Sequence, residues 1–217
     1  MELLATLDLP EAAESDRQRP SPGNAYANPL RDRQHGRIYR IVYEGAPESE
    51  PMSLEGASAS ELVEALTHSN RFWRMHAQRL LVERGERDVV PQLVSLVEDA
   101  SVDELGLNPG AMHALWTLHG LGALDGSEAR VLAAARGALR HPSAGVRRTA
   151  IQVLPQTASS TAAILEAGLL EDADPKVRLQ AAATLGDLPG SDEAGRALFA
   201  ALQRQYMQGI VTTGLRE

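Results

Sequence analysis

The chain contains no cysteine. That excludes disulfides, thiolate metal sites, a cysteine nucleophile and covalent CxxCH haem attachment within it. Aromatics are scarce, with 2 Trp, 4 Tyr and 2 Phe among 217 residues, which disfavours a β-sandwich or barrel. A single lysine, Lys176, stands against 20 arginines, a bias better explained by genome composition than by a guanidinium-specific function. No apolar run reaches the 18 residues of a membrane span, so no membrane insertion is expected. The opening MELLATLDLPEAAESD lacks a basic n-region and a long apolar h-region and does not read as a signal peptide. A basic excess is also missing. The net charge of −8 and pI near 5.3 argue against a phosphate-backbone binder, so no nucleic-acid partner is expected.

What is abundant is Ala and Leu, 33 and 30 residues, which favour helices. They are unevenly placed: 27 of the alanines follow residue 56. Residues 1–56 carry six prolines and no sustained helical period, and read as an extended or irregular segment. Residues 57–208 read as one helical unit and 209–217 as a tail. Within the unit, Leu66–Ala77, Leu139–Ala150 and Leu170–Ala181 superpose without gaps. Each carries Leu, a polar cap, a hydrophobe, Arg and Ala at the same offsets, and another Leu follows four residues on. Ala114 with Leu118 gives a divergent copy after a longer connection. Spacings of 31 to 37 residues between these alanines, with two helices per unit, are the signature of an α-solenoid.

Helix starts are marked by Asn108-Pro109 and Asp174-Pro175, by the capping-box spacing of Ser58 and Glu61, and by Ser127 after Gly126. A helices are predicted near 59–67, 88–98, 128–140, 159–170 and 192–206. B helices are predicted near 71–84, 109–121, 144–154 and 175–187. The expected fold is therefore all-α, four helix pairs plus a terminal helix. The unit DADPKVRLQAAATL resembles the second half of a HEAT repeat, which implies a binding scaffold rather than an activity. The first copy departs from the pattern with Trp73 where Val146 and Val177 sit, and the second with Ala111 in place of the repeat Arg.

Ahead of the helices, RIYRIVY (37–43) alternates as a short β-strand that needs a partner. The weak strand-like tail 210–213, another chain or a missing domain are the candidates. LRDRQHGRIYRIVYEG, NRFWRMHAQRLLVERG and LGLNPGAMHALWTLHGLGAL together resemble the middle of large bacterial dehydrogenase-like, haem-binding c-type cytochrome proteins. In that family a sorbosone-dehydrogenase-like propeller precedes a HEAT array and a cytochrome domain follows it. The resemblance implies that 30–43 is a last propeller strand and that a propeller or cytochrome domain is the partner. It also implies an exported, periplasmic setting. No propeller and no CxxCH are in this sequence, so the family's redox chemistry has no residues here to rest on, and no cofactor is expected.

A search for chemistry returns little. The six histidines show no i,i+4 pair and no HExxH; GxSxG, GxxxxGK[ST] and GxGxxG are absent; and no metal site or catalytic constellation emerges. Two repeat-locked patterns remain. Arg74, Arg147 and Arg178 follow the turn residues Asn70, Ser143 and Asp174 by four, which predicts either a structural ladder of guanidinium pairs or an anion-binding stripe. Taking Ala77, Ala114, Ala150 and Ala181 as the core direction, Met75, Arg79, Met112, Trp116, Arg148, Gln152 and Leu179 point outward. That ridge is apolar enough to predict either a protein partner on the B-helix face, the concave side of a solenoid, or cover by residues 1–56. The functional expectation is a non-catalytic HEAT-like scaffold. The alternative is the scaffold section of a sugar- or alcohol-dehydrogenase-like protein.

Overall fold

In the computed structural model the chain divides into two compact units, Met1–Pro51 and Met52–Glu217, and residues 52–207 are described, together with Tyr43 and Gly45. The strand expected over 37–43 lies outside the described residues except for Tyr43, which is in no strand, and the tail from 209 also lies outside them. Among the described residues all regular structure is helical, and the short strand has no support.

Among the described residues nine α-helices follow in order: α1 (Ala59–Ala65), α2 (Arg71–Arg84), α3 (Val90–Glu98), α4 (Pro109–Gly120), α5 (Ala129–Gly137), α6 (Ala144–Val153), α7 (Ala158–Glu166), α8 (Pro175–Asp187) and α9 (Asp192–Met207). Their starts follow cap chemistry. Ser58 and Glu61 form the reciprocal capping box, with Ser58 N–H donating to Glu61 Oε2 at 2.7 Å and Glu61 N–H to Ser58 Oγ at 3.3 Å. Asn70, Asn108 and Asp174 accept from first-turn amides of α2, α4 and α8, and proline follows Asn108 and Asp174 directly.

Three local expectations differ from the structure. The helix expected over 128–140 ends at Gly137 and closes with a 3-10 turn, Ala138–Arg140. The one expected over 159–170 ends at Glu166, because Gly168 turns left-handed (φ 69°) before a second 3-10 turn, Leu169–Glu171. Ser127 does not cap α5: its N–H and Oγ both donate to Asp125 Oδ1, at 2.8 and 2.5 Å, so Glu128 takes the cap position without a side-chain bond.

The odd-numbered helices form one layer and α2, α4, α6 and α8 a second. Each even helix packs on the odd helix before it and on its even neighbours. The core lies between the layers. Ala77, Ala114, Ala150 and Ala181 are fully buried at the crossing points, with Leu81, Leu118 and Leu185 one turn on. Met52 and Leu54 pack half-buried on this core ahead of α1. Small residues set the helix spacing: a Cβ on Gly120 would stand 2.6 Å from Val82 Cγ2, so α2 and α4 touch where only hydrogen fits. The odd layer is stitched at its surface by Gln92 to Ser60 (2.9 Å), Arg130 to Glu98 (3.4 Å), Arg140 to Glu166 (3.2 Å) and Arg204 to Glu171 (2.7 Å). Being exposed, these pairs add little stability each.

Candidate interaction surface

Two constellations occupy the even-numbered helices, one at their N-terminal turns and one on their outer face. At the turns, the three repeat arginines make the same bonds. The Nη1 of Arg74 donates to the carbonyls of His68 and Ser69 (2.6 and 2.7 Å), that of Arg147 to His141 and Pro142 (2.8 Å each), and that of Arg178 to Asp172 and Ala173 (2.7 and 3.1 Å). Each side chain therefore folds back to tie its own turn, six and five residues upstream. Arg147 alone adds an acid: Nε and Nη2 donate to Asp172 Oδ2 and Oδ1 at 2.7 Å, a bidentate pair crossing from the third repeat to the fourth.

The acid is Asp172 and not the turn residue Asp174, which the sequence offers as a ready partner for Arg178. Asp174 instead caps α8, accepting from Lys176 N–H at 2.8 Å and Val177 N–H at 3.1 Å. Asp172 holds the repeat offset of His68 and His141, and the three share a second task. His68 Nδ1, His141 Nδ1 and Asp172 Oδ1 accept from the N–H of Asn70, Ser143 and Asp174, at 2.9, 2.9 and 2.8 Å. With Nδ1 of His141 an acceptor, its Nε2 carries the proton and donates to Asp99 O at 2.9 Å. Burial pushes the Asp172 carboxyl up, but the Arg147 hydrogen bonds and the Asp174 amide outweigh it, so its pKa lies below the ordinary carboxylate value. Ser143 provides no side-chain cap, and its buried Oγ meets no partner among the described residues. The second repeat carries Ala111 where the others have Arg. Its turn is tied by the Asn108 amide, which donates to Asp99 O and Ser101 O at 2.9 Å each.

On the outer face the structure gathers part of the expected ridge. Met75, Arg79 and Trp116 line a groove of about 530 Å³ between α2 and α4, together with Val82, His119 and Gly120. Met75 is 45% exposed. Trp116 is half-buried, with its ring edge-on to His119 at 5.7 Å between centroids. Arg79 is paired with Glu83 at 3.5 Å on the rim. Met112 is half-buried beside Gly145 of α6 and outside the groove. Arg148 is half-buried further along the ridge. Gln152 donates to Gln180 at 2.9 Å across α6 and α8 and lines a second, more polar groove. Leu179 stands 71% exposed on α8. Val82 and Gly120 were missed because outward residues were counted only two either side of the core alanines. Val82 lies seven residues after Met75, the next step of the same helical stripe.

Between α4 and α2, His113 Nδ1 is 2.7 Å from Gln78 Oε1. Burial, followed by the nearby Arg74 and Arg71 charges, brings the His113 pKa from 6.5 to about 4. Among the described residues no cluster of three metal-binding side chains occurs, and no helix is long and apolar enough to cross a membrane.

Residues 132–208, the last two helix pairs and α9, match the family of HEAT repeats. No curated protein matches the chain. The match and the paired helices of the described residues support a HEAT-like solenoid. HEAT repeats are generally protein-interaction scaffolds.

Proposed function

We propose that the helical unit is a non-catalytic scaffold that holds a protein partner on the outer face of its even-numbered helices, with the α2–α4 groove as the anchor point. The groove carries this reading. It is mostly apolar, floored by Trp116 and Val82, edged by Met75 and bounded by the Arg79–Glu83 pair, and it has the aromatic and Met anchors with a polar rim found in protein-binding sites. Arg148, Gln152 and Leu179 extend the surface towards the last repeat, with Met112 in support behind it. The arginine ladder supports a structural role for Arg74, Arg147 and Arg178, since each guanidinium is turned onto its own turn carbonyls rather than towards an external anion. The test is a quantitative pull-down with the full chain against its Met75→Asp variant, whose side chain is exposed enough to change without unfolding the core. Loss of a specific band with an unchanged thermal transition supports the groove; unchanged recovery rejects it.

A narrower reading rests on the sequence resemblance of residues 29–190. In it, the partner is a propeller or cytochrome domain of a sugar- or alcohol-dehydrogenase-like protein. Reading frames for a propeller and a CxxCH domain beside this one in the genome would favour it, and their absence would leave the scaffold alone.

A further inference from the structure

The second groove on the outer face, about 600 Å³, is lined by the C-terminal ends of α4, α6 and α8, and it differs from the first in charge. Its carboxylates are Asp125 and Asp187, its other titratable side chain is His119, and no lysine or arginine lines it. Arg87 answers Asp125 from outside the groove at 3.3 Å. Asp187, exposed at the end of α8, forms no ion pair among the described residues. The backbone adds to this imbalance. A helix C-terminus carries partial negative charge that a Lys or Arg in the last turn ordinarily complements, and α6 and α8 have no basic residue there. Their last carbonyls are also poorly answered. The residues four after Ile151 and Leu185 are Pro155 and Pro189, which have no N–H to donate. The end of α4 is different: the amides of Leu121, Gly122 and Ala123 fold back onto Thr117, His119 and Leu118.

We propose that this groove takes a lysine or arginine side chain of the protein partner, a reading that rests on the α2–α4 groove being a protein-binding surface. The partner then presents an extended segment with an apolar residue for the first groove and a basic residue for the second. Charge complementarity argues for it: a cation entering here meets Asp187 and the negative ends of α6 and α8. The Gln152 amide oxygen is a further acceptor. Gln152 donates to Gln180 at 2.9 Å and Gln180 to Thr184 at 3.0 Å, while that oxygen accepts nothing among the described residues. Hydrogen bonds from a charged donor to such acceptors are stronger than neutral ones. His119 lines both grooves, so the two meet at its side chain. Packed helices about 8–10 Å apart set the groove centres about 15 Å apart. An extended chain covers that in about five residues, which fixes the spacing expected between the apolar and the basic residue.

Selection of random peptides of about twelve residues on the immobilised full chain tests this, with the selected peptides synthesised and titrated by fluorescence polarisation. The expected peptides carry Lys or Arg about five residues from a large apolar residue. Their affinity falls about tenfold or more on Asp187→Lys, a change at an exposed position, and less on Asp187→Asn. Thermal transitions of both variants should match that of the parent chain. Selected peptides without a basic residue, or peptides indifferent to Asp187→Lys, overturn the proposal. If such peptides still lose affinity on Met75→Asp, the scaffold reading stands and the basic subsite alone falls. Recovery of no peptide, or indifference to both Met75→Asp and Asp187→Lys, overturns the two readings together.

Discussion

Arg147 donates four hydrogen bonds, two to its own turn and two to the carboxylate of the next repeat. Its side chain is 15% exposed and that of Asp172 7%, making this the most buried ion pair among the described residues. Removing one member of such a pair leaves the other buried and uncompensated, which is costlier than losing a surface pair. Arg147→Ala is therefore expected to destabilise by about 3 kcal/mol. Arg178→Ala, which forfeits only two bonds to turn carbonyls, should cost about 1 kcal/mol. Urea denaturation of the two variants side by side checks the difference; equal losses would mean that the acid contributes nothing.

Titration at the residue scale is dominated by His113. Its folded pKa of about 4 lies below 6.5, so between these values the unfolded chain binds more protons than the native one. The associated stability is fully present above pH 6.5 and is lost as pH falls towards 4. Melting temperature should decline over that window and decline less in His113→Gln, and parallel pH profiles would refute the assignment. Asp172 acts lower on the scale. Its depressed pKa gives stability that is present above the ordinary carboxylate range and is lost as pH falls through the folded value.

At the scale of the helix, starts other than that of α5 were legible in the sequence and ends less so. Asn70, Asn108, Asp174 and the Ser58 box announce themselves because a cap is a local event between residues two or three apart. The ends of α5 and α7 hid inside Ala- and Leu-rich stretches whose helical period runs on through Gly137 and Gly168. The ladder arginines were visible as a shared offset. Their acid was not, since Asp172 reaches Arg147 only once two repeats have stacked. The groove was half visible for the same reason: Met75 and Trp116 lie on neighbouring helices whose separation no single-helix pattern reports. That separation depends on Gly120. A methyl there would meet Val82 at 2.6 Å, so Gly120→Ala should destabilise by about 1–3 kcal/mol despite its better helix propensity. Adding Val82→Ala to Gly120→Ala should recover part of the loss in a double-mutant cycle. Strict additivity would argue that the two helices do not meet there.

Over the whole unit, stability in a stack of repeats is a sum of repeat terms and nearest-neighbour interfaces, so the interfaces need not be equally strong. The junction between the third and fourth repeats has the buried Arg147–Asp172 pair in addition to the α6–α8 packing. At the first junction no acid answers the ladder arginine: Arg74 Nε is buried without a partner among the described residues, and the second repeat contributes Ala111 and the loop before it. Asp172→Asn removes the charge from one junction only and leaves the others untouched. Hydrogen exchange read by mass spectrometry should then show faster opening of α7, α8 and α9, with peptides from α1 to α4 exchanging as in the parent chain. The reciprocal change, Arg74→Ala, should accelerate exchange in α1 and α2 without reaching α8, because that side chain ties only its own turn. If Asp172→Asn instead raises exchange uniformly from α1 to α9, the unit opens as one cooperative body and the arginine ladder does not divide it.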